Sequence, residues 1–344
     1  ADPEATTGAG PAAGGGPGRL SREDEAIFAE LQRDGRLPFT ALAERIGTSE
    51  ANVRRRVRAL TERDVFSVTA VADPRVLGLD HMAWVGLVVR PGEMASVAEA
   101  LVEMTEVDYV VLSSGVFGVM AEVACASATS FYELVARIRR LPGVRRSETF
   151  PYLRLVHQRF QWTAPTDPGV RWTGVPGTPA GRDGLSETDV AIVRELEHDG
   201  RASFRDIASR IGQSERLVSR RVTQMVEEGV VRVIAVGNPL TLGFSTMAWL
   251  GIVVDPHADA EAVLEQLSAI RAIDYVVVVA GRFDVMAEIV CRSGDELVAA
   301  LGEEIGAIDG IASVETSLYL RLLYTSTAGA WGVGRSMASL RGPG

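Results

Sequence analysis

The chain has 344 residues, enough for two to four small domains, and its content of 47% hydrophobic and 23% charged residues is typical of a soluble globular protein. No apolar run reaches the length needed to span a bilayer, and Ala1–Gly18 lacks the basic and apolar regions of a secretory signal, so we expect a cytoplasmic protein with no membrane partner. The net charge of −10 argues against indiscriminate coating of nucleic acid, although it permits a local basic surface.

The residues that usually carry metal or cofactor chemistry are sparse. The two cysteines, Cys125 and Cys291, lie in strand-like apolar stretches, where buried reduced thiols are the simplest interpretation. The four histidines are isolated and have no ligand spacing with one another or with a cysteine. We therefore expect no metal ion and no cofactor.

Three short helices are predicted after the Gly-rich first segment. Ser21 can cap the first helix, and Phe39–Ile46 has the apolar spacing of the second. Gly47 supplies the permissive backbone of a tight turn, and a third helix, capped by Ser49, runs to about Glu62.

The third helix has an apolar stripe of Val53, Val57 and Leu60, and its opposite face is rich in arginine. A short helix, a glycine turn and such a helix form the helix-turn-helix pattern of DNA-binding proteins. In the major groove Arg can bond to guanine bidentately and Asn can read adenine, while other Arg residues contact phosphates. The DNA contacts predicted for this helix are Ser49, Asn52, Arg54, Arg55, Arg56 and Arg58.

A different pattern follows the third helix. Val65–Val71 alternates as a strand and is interpreted as a wing or a hinge. The next elements follow the order β-α-β-β-α-β of a ferredoxin-like module, which has one open sheet face, so that pairing two modules buries both faces. These predicted elements are Ala83–Val89, Met94–Met104, Tyr109–Ser113, Val119–Ala124, Phe131–Arg139 and Arg146–Leu155.

The whole unit occurs twice. Leu20–Val71 and Leu185–Val236 align without a gap at an offset of 165, and 26 of the 52 positions are identical. One inserted residue then shifts the offset to 166, which aligns "DYVVLSSGVFGVMAEVAC" with "DYVVVVAGRFDVMAEIVC". The DNA contacts predicted for the second copy are Ser214, Arg216, Ser219, Arg220, Arg221 and Thr223.

The predicted fold class is α+β, with two winged helix-turn-helix domains and two ferredoxin-like βαββαβ sandwich domains paired as an internal pseudo-dimer. The helix-turn-helix domains are expected at 20–66 and 185–231, and the ferredoxin-like domains at 67–157 and 232–324. A Gly/Pro/Thr-rich linker, 158–184, joins the copies, and tails cover 1–19 and 325–344.

These motifs resemble the Lrp/AsnC (feast/famine) family of transcriptional regulators. The resemblance rests on "LQRDGRLPFTALAERIGTSEANVRRRVRAL", "DPRVLG" and "LPGV" in the first copy, and on "LEHDGRASFRDIASRIGQSERLVSRRV" and "GNPLTLG" in the second. The usual member resembles one unit, so this chain is similar to a fused pair. The resemblance implies a sequence-specific, nucleoid-associated regulator that binds double-stranded DNA and forms a homo-oligomer (a dimer or tetramer of the fused chain). It also implies RAM-type sensing domains that bind an amino acid or related small metabolite at their interfaces.

Part of the family's response lies in a sensing loop that reads Gly-x-Phe/Tyr-Asp. The second copy keeps the pattern through Asp284, whereas the first copy has Gly118 in place of the acid. A carboxylate there could bind an amino group or fix the loop, so its loss predicts unequal sensing; the alternative is that the glycines serve only a tight turn and the Phe is core. The residues expected near the effector are Ser113, Ser114, Gly115, Phe117, Gly281, Arg282, Phe283 and Asp284.

The two third helices have diverged on their outer faces. Arg55 and Arg56 persist as Arg220 and Arg221, which predicts shared phosphate or base contacts. The other outer positions differ, and this predicts asymmetric half-sites whose centres lie about 34–36 Å apart, or a multiple of that distance. The differing residues are Ala51, Asn52, Arg54 and Arg58 in the first copy, and Arg216, Leu217, Ser219 and Thr223 in the second.

Two alternatives remain open at this stage. Siroheme decarboxylases resemble this family and can occur as fused pairs, but they are expected to place His and Arg residues in the cleft of the α/β domains. Here Asp108–Phe117 and Asp274–Phe283 contain no His, and Arg282 is their one basic residue. No catalytic triad, acid pair or phosphate-binding Gly loop is discernible, so we expect that the protein is not an enzyme. The second alternative is a co-regulator that does not bind DNA.

Overall fold

The computed structural model describes residues 20–63, 65–72, 74–159, 170–171, 185–239 and 241–324. The expected tails, 1–19 and 325–344, and most of the linker lie outside the described residues. Within the described ranges, no helix is long and apolar enough to cross a membrane. The same part of the chain holds no group of three or more His, Cys, Asp or Glu side chains placed to bind a metal ion.

The first copy contains three helices, a strand and a β-α-β-β-α-β module, as the sequence predicts. Its last strand is longer than expected, beginning two residues earlier and ending three residues later. The elements are α1 (Arg22–Arg33), α2 (Phe39–Ile46), α3 (Glu50–Glu62), β1 (Phe66–Ala72), β2 (His81–Val89), α4 (Met94–Val102), β3 (Val107–Ser113), β4 (Val119–Cys125), α5 (Ala128–Arg139) and β5 (Val144–Gln158).

The second copy repeats this order after the short strand β6 (Val170–Arg171). It departs from the first copy at its last helix, which continues as a π-helical segment over Ala300–Ile305. Its elements are α6 (Glu187–His198), α7 (Phe204–Ile211), α8 (Glu215–Glu227), β7 (Val231–Gly237), β8 (Thr246–Val254), α9 (Ala260–Ala269), β9 (Ile273–Val279), β10 (Val285–Cys291), α10 (Gly294–Ala299) and β11 (Ile311–Tyr324).

The two ferredoxin-like modules join into one closed sheet. Within the modules the strand orders are β5-β2-β4-β3 and β11-β8-β10-β9. The long last strand of each module also pairs with the other module, β5 with β9 and β11 with β3, both antiparallel. The eight strands therefore form an antiparallel barrel, and closure leaves neither module with an unpaired sheet edge along these strands.

Apolar side chains fill both sides of this barrel. The outer face of each module packs on its own helices, α4 and α5 in the first copy and α9 and α10 in the second. The inner faces meet in an aromatic core in which the ring centroids of Trp84 and Trp249 lie 4.3 Å apart. The two open sheet faces thus bury each other within a single chain, which confirms the predicted internal pseudo-dimer.

The two helix-turn-helix domains, called head 1 (α1–α3) and head 2 (α6–α8), are joined by a separate two-stranded ribbon. Strand β1 pairs antiparallel with β7, from Phe66 opposite Gly237 to Ala72 opposite Val231. The strand interpreted as a wing or hinge is therefore shared between the copies. Helix α1 packs on β7 and α6 packs on β1, so that each head lies against the strand of the other copy.

Two half-buried arginines hold the heads together by reciprocal contacts. Arg36 donates hydrogen bonds to the carbonyl oxygens of Gly200 and Ala202, at 2.7 and 3.0 Å. Arg201 donates in the same way to those of Gly35 and Leu37, at 2.5 and 3.1 Å. Burial lowers the pKa of both arginines, although nearby aspartates oppose this shift. The contacts fix one head relative to the other across a pseudo-twofold axis.

Candidate nucleic-acid interface and sensing interface

Each head presents its third helix through a glycine turn and a serine cap. Gly47 and Gly212 adopt left-handed backbone conformations, with φ of 72° and 68°, and an added Cβ would meet no atom within 4 Å. The strain of this conformation, rather than lack of space, therefore favours glycine. The predicted DNA-contact residues Ser49 and Ser214 serve as N-caps, accepting hydrogen bonds from the backbone N–H groups of Asn52 and Leu217.

The predicted apolar stripes hold α3 and α8 against their heads. Val53, Val57 and Leu60 are buried in head 1. The equivalent residues Val218, Val222 and Met225 are buried in head 2. The opposite faces of the two helices point into solvent, as a helix that enters a groove requires.

Head 1 exposes three arginines on α3. Arg54 pairs with Glu50 and Arg58 pairs with Glu62, each at 2.7 Å and one helical turn apart. Arg55 donates a hydrogen bond to the side chain of Asn52. Surface pairs of this kind are worth about 0–1 kcal/mol, so DNA phosphates can replace the carboxylates at little cost.

Head 2 has fewer exposed arginines on its third helix. Arg216, Arg220 and Thr223 are exposed, and Ser219 is half-buried. Within the described part of the chain, Arg216 and Arg220 have no ion-pair partner. These groups are available to an external anion.

The contacts of Arg56 and Arg221 change the role predicted for them. Arg56 forms ion pairs with Glu23 and Asp24 of α1, at 2.7 and 2.9 Å. Arg221 contacts both carboxylate oxygens of the fully buried Asp189 in α6, at 2.6 Å each. Both were predicted to contact DNA, but their guanidinium groups are occupied by acidic groups inside the heads. These ion pairs hold the third helix of each head on its first helix, and contact of the two arginines with DNA stays a prediction.

Asn52 is also held inside head 1. Its side-chain amide donates to Glu23 and to Thr48, at 2.5 and 2.9 Å, so reading adenine would require these bonds to break.

The ion pair between Arg221 and Asp189 in head 2 is strong enough to affect the ionisation of Asp189. Burial alone would raise the pKa of Asp189, but hydrogen bonds from Arg221 and Ser186 hold it below its usual value.

Replacing Arg221 by Ala should destabilise head 2 by about 3–5 kcal/mol, because it leaves the buried Asp189 carboxylate without its countercharge. The matched control is Arg220→Ala, which removes an exposed arginine from the same helix and should change stability by less than about 0.5 kcal/mol. Urea denaturation of both variants measures the difference. If R221A were as stable as the parent, the ion pair with Asp189 would not be what holds α8 on α6.

The sensing loops lie where the two modules meet. Phe117 and Phe283 are buried, and their rings would clash with a Cβ at Gly86 and Gly251 respectively. Gly115 and Gly281 have positive φ, at 97° and 148°. The two Phe residues are therefore part of the core and the two glycines lie in turns, and their place near an effector stays a prediction.

Polar groups of the same loops bind across the interface or brace the loop. Ser113 donates to the carbonyl of Phe117, whereas Ser114 exchanges two hydrogen bonds with the backbone of Leu318 in the other module. The Asp284 carboxylate accepts from the backbone N–H of Val254 at 2.9 Å, which attaches the loop to the end of β8. The first copy has Gly118 in this position and lacks the bond.

Arg282 bridges the two modules next to this loop. It forms ion pairs with Glu148 of β5 at 3.3 Å and with Glu315 of β11 at 2.9 Å. Its guanidinium group also lies over the ring of Phe283, 4.5 Å from the centroid. The first copy has Val116 in the equivalent position, so the two sensing loops differ in charge as well as in bracing.

Sequence reasoning missed two buried carboxylates at the centre of the barrel. Glu122 accepts hydrogen bonds from Tyr152 of its own copy and Tyr275 of the other, at 2.5 and 3.0 Å. In the same way Glu288 accepts from Tyr109 of the other copy and Tyr319 of its own. The signal was a single Glu within each apolar strand, in "VMAEVAC" and "VMAEIVC".

Burial gives these carboxylates a preference for the protonated form. It raises the pKa of Glu122 to about 7, although the hydrogen bonds from Tyr152 and Tyr275 act in the opposite direction. Burial also raises the pKa of Glu288, again against hydrogen bonds from two tyrosines. Protonation therefore stabilises the paired modules.

Because Glu122 has a folded-state pKa of about 7 and an ordinary value of 4.5, the folded protein binds more protons than the unfolded chain between these values. The free energy of unfolding should fall as pH rises from 4.5 to 7, with a contribution from Glu122 of up to about 3 kcal/mol. Glu122→Gln should remove this part of the pH dependence of the free energy of unfolding, which urea denaturation at pH 5 and pH 8 measures. Replacement of the exposed Glu99 by Gln serves as control. If E122Q kept the pH dependence of the parent, Glu122 would not be its source.

Comparisons with known proteins cover both halves of the chain. The AsnC-type helix-turn-helix domain matches residues 20–61, a winged helix-turn-helix DNA-binding model matches 185–232, and the Lrp/AsnC ligand binding domain matches 82–162 and 247–328. A solved structure of the siroheme decarboxylase NirDL covers 88% of this chain and 92% of its own, with a TM-score of 0.59 and 18% identity. At that identity the likeness concerns the fold alone.

Two curated relatives from Pyrococcus each match about one copy. An uncharacterised HTH-type transcriptional regulator of Pyrococcus abyssi is 36% identical over 135 residues, which are 39% of this chain and 85% of the relative. The HTH-type transcriptional regulator LrpA of Pyrococcus horikoshii is 32% identical over 129 residues, 37% of this chain and 92% of the relative. With two DNA-binding heads and two ligand-binding modules in succession, the chain belongs to the Lrp/AsnC family of helix-turn-helix transcriptional regulators, in a tandem-duplicated form.

Proposed function

We propose that this protein binds a specific operator with two unlike heads and regulates transcription in response to a small metabolite. The observation that carries the proposal is the outward presentation of α3 and α8 by two heads that the β1–β7 ribbon and the contacts of Arg36 and Arg201 hold together. Two reading helices held in this way can engage two half-sites on one side of a duplex. With DNA as its partner, the protein acts in the cytoplasm, on the nucleoid.

Charge distribution supports this use of the heads. The chain as a whole is acidic, with a net charge of −10, which keeps non-specific attraction to DNA weak. The exposed faces of the reading helices concentrate arginines instead, Arg54, Arg55 and Arg58 on α3 and Arg216 and Arg220 on α8, while the glutamates of these helices stand at their ends. Binding would therefore depend on the local fit of these two faces rather than on overall charge.

Arg55→Ala and Arg220→Ala should each weaken operator binding about tenfold, because each removes an outward guanidinium group from the centre of a reading helix. If these groups contact phosphates, each variant also lowers the slope of log affinity against log salt concentration by about one. Fluorescence anisotropy with a labelled genomic fragment measures both effects. Arg139→Ala, an exposed arginine at the end of α5, is the control. Undiminished binding by the double variant R55A/R220A would contradict the placement of the reading helices.

The operator should be asymmetric because the two reading faces differ. Head 1 presents Arg54 and Arg58 where head 2 presents Ser219 and Thr223. Selection of bound sequences from a random DNA pool should return two unlike half-sites, with centres about one helical turn or a multiple of it apart. Equal affinity for an asymmetric site and for both of the perfect palindromes built from its halves would overturn this prediction.

We further propose that an amino acid or related metabolite binds where the α/β modules meet and shifts the assembly of the fused chain into dimers or tetramers. The second sensing loop is the better candidate, because Asp284 and Arg282 give it a braced backbone and a cation that the first loop lacks. The two copies would then sense unequally. We propose regulation without catalysis, since buried aromatic rings occupy the interface between the sheets.

A further inference from the structure

A cavity of about 390 Å³ lies at the joint between head 2 and the first sensing module. Helix α6 of head 2 forms one wall, and the adjoining ends of β3 and β4 with the turn before β2 form the others. A hydrogen bond from the Thr69 hydroxyl to the carbonyl of Glu197, at 2.8 Å, ties α6 to β1 beside this joint. Whatever fills the cavity contacts a DNA-reading head and a sensing module at once. We name it the joint cavity.

The joint cavity contains a buried carboxyl group with an unused acceptor. Glu197 is 5% exposed, and its Oε1 atom has no hydrogen-bond partner among the described residues. Asp108 faces the same space and lies close enough for its charge to interact with that of Glu197. A buried acceptor without a donor costs about 1–3 kcal/mol, so the site favours a ligand that supplies one.

The remaining lining is divided between apolar and charged groups. Leu77, Leu79 and Ala124 provide an apolar wall. Glu106 also lines the cavity, but its carboxylate is already paired with Arg137 at 3.0 Å. Arg194 of α6 is exposed but also lines the cavity, and its charge lowers the pKa of Glu197 against the larger opposite effect of burial. The cavity therefore has an acidic part, formed by Glu197 and Asp108, beside an apolar wall.

The equivalent joint of the other copy lacks these features. Head 1 has Gln32, which is fully buried, at the position of Glu197, and Ala29 at the position of Arg194. Larger side chains stand at two lining positions, because the buried Phe244 and Val290 correspond to Leu79 and Ala124. Gln is neutral, and the added carbon atoms occupy volume that the joint cavity leaves open. Both joints are built from the same helices and strands, so the differences between them in charge and volume come from the side chains.

We propose that the joint cavity is a binding site for a small organic cation, an alkyl amine whose ammonium group contacts Glu197 and Asp108 and whose carbon chain packs on Leu77, Leu79 and Ala124. This site is distinct from the sensing loops at the interface between the modules. Proton release accompanies binding, because burial raises the pKa of Glu197 to about 8 and that of Asp108 above its usual value. An ammonium group stabilises the ionised carboxylates that burial disfavours.

The position of the site gives the ligand a way to act on DNA binding, a consequence that rests on the proposed function. A ligand that contacts both α6 and the first module stabilises one placement of head 2 on that module. Head 1 has no equivalent control, so the cation would alter the affinity for one half-site only. Binding itself needs no DNA, and its test is therefore separate from any test of the regulator.

Isothermal titration calorimetry of the full chain without DNA, with n-butylamine as the probe, tests the site. Saturable one-to-one binding is expected, with n-butanol and butyrate failing to bind at the same concentrations. Affinity should increase as pH rises from 6 to 8, by about tenfold per pH unit for each proton released. Titration in two buffers of different ionisation enthalpy should detect that release. No binding of n-butylamine, or binding without pH dependence, would overturn the proposal.

Two variants taken from the other copy separate the site from general attraction to an acidic protein. Glu197→Gln introduces the residue found in head 1 and should weaken n-butylamine binding at least tenfold. Leu79→Phe introduces the side chain of Phe244 and should prevent binding by filling the cavity. Glu187→Gln removes an exposed acid from the same helix and should bind as the parent does. Retained binding in both E197Q and L79F would show that the amine binds elsewhere.

Discussion

The structure depends on strand pairing between the two copies. Each ferredoxin-like module has an open face and an open edge, and neither can be left in water without cost. The long strands β5 and β11 solve both problems, because each completes its own module and then pairs with the other. The result is one closed barrel within one chain, with the helices of each module packed on its outer face.

The centre of the barrel determines which faces meet. Trp84 and Trp249 pack against each other, while Glu122 and Glu288 each accept a hydrogen bond from a tyrosine of the other copy. An apolar interface alone would tolerate sliding, but a buried carboxylate is satisfied in one register only. Burial also makes the stability of the fold depend on pH, because it makes ionisation of these acids unfavourable, and the tyrosine hydrogen bonds offset this effect only in part.

Duplication has allowed the two copies to diverge in some regions and not in others. The features that maintain the fold recur in both, including the serine caps, the glycine turns and the ion pairs of Arg56 and Arg221 with the first helices. The residues that differ lie on the exposed faces of the third helices, in the loops after β3 and β9, and at the joints between heads and modules. A single-unit regulator must use identical heads in a symmetric dimer, whereas a fused pair can change one head without the other.

The sequence by itself determined the repeat, the order of helices and strands, the glycine turns and the apolar stripes, because these depend on residues close together in the chain. It did not separate the contacts of Arg55 from those of Arg56, since only the position of α1 brings Glu23 and Asp24 to Arg56. It likewise left the strand Phe66–Ala72 without a partner, because β7 lies far along the chain. The tertiary structure alone decided these points and revealed the joint cavity, because burial and charge pairing depend on which distant segments are brought together.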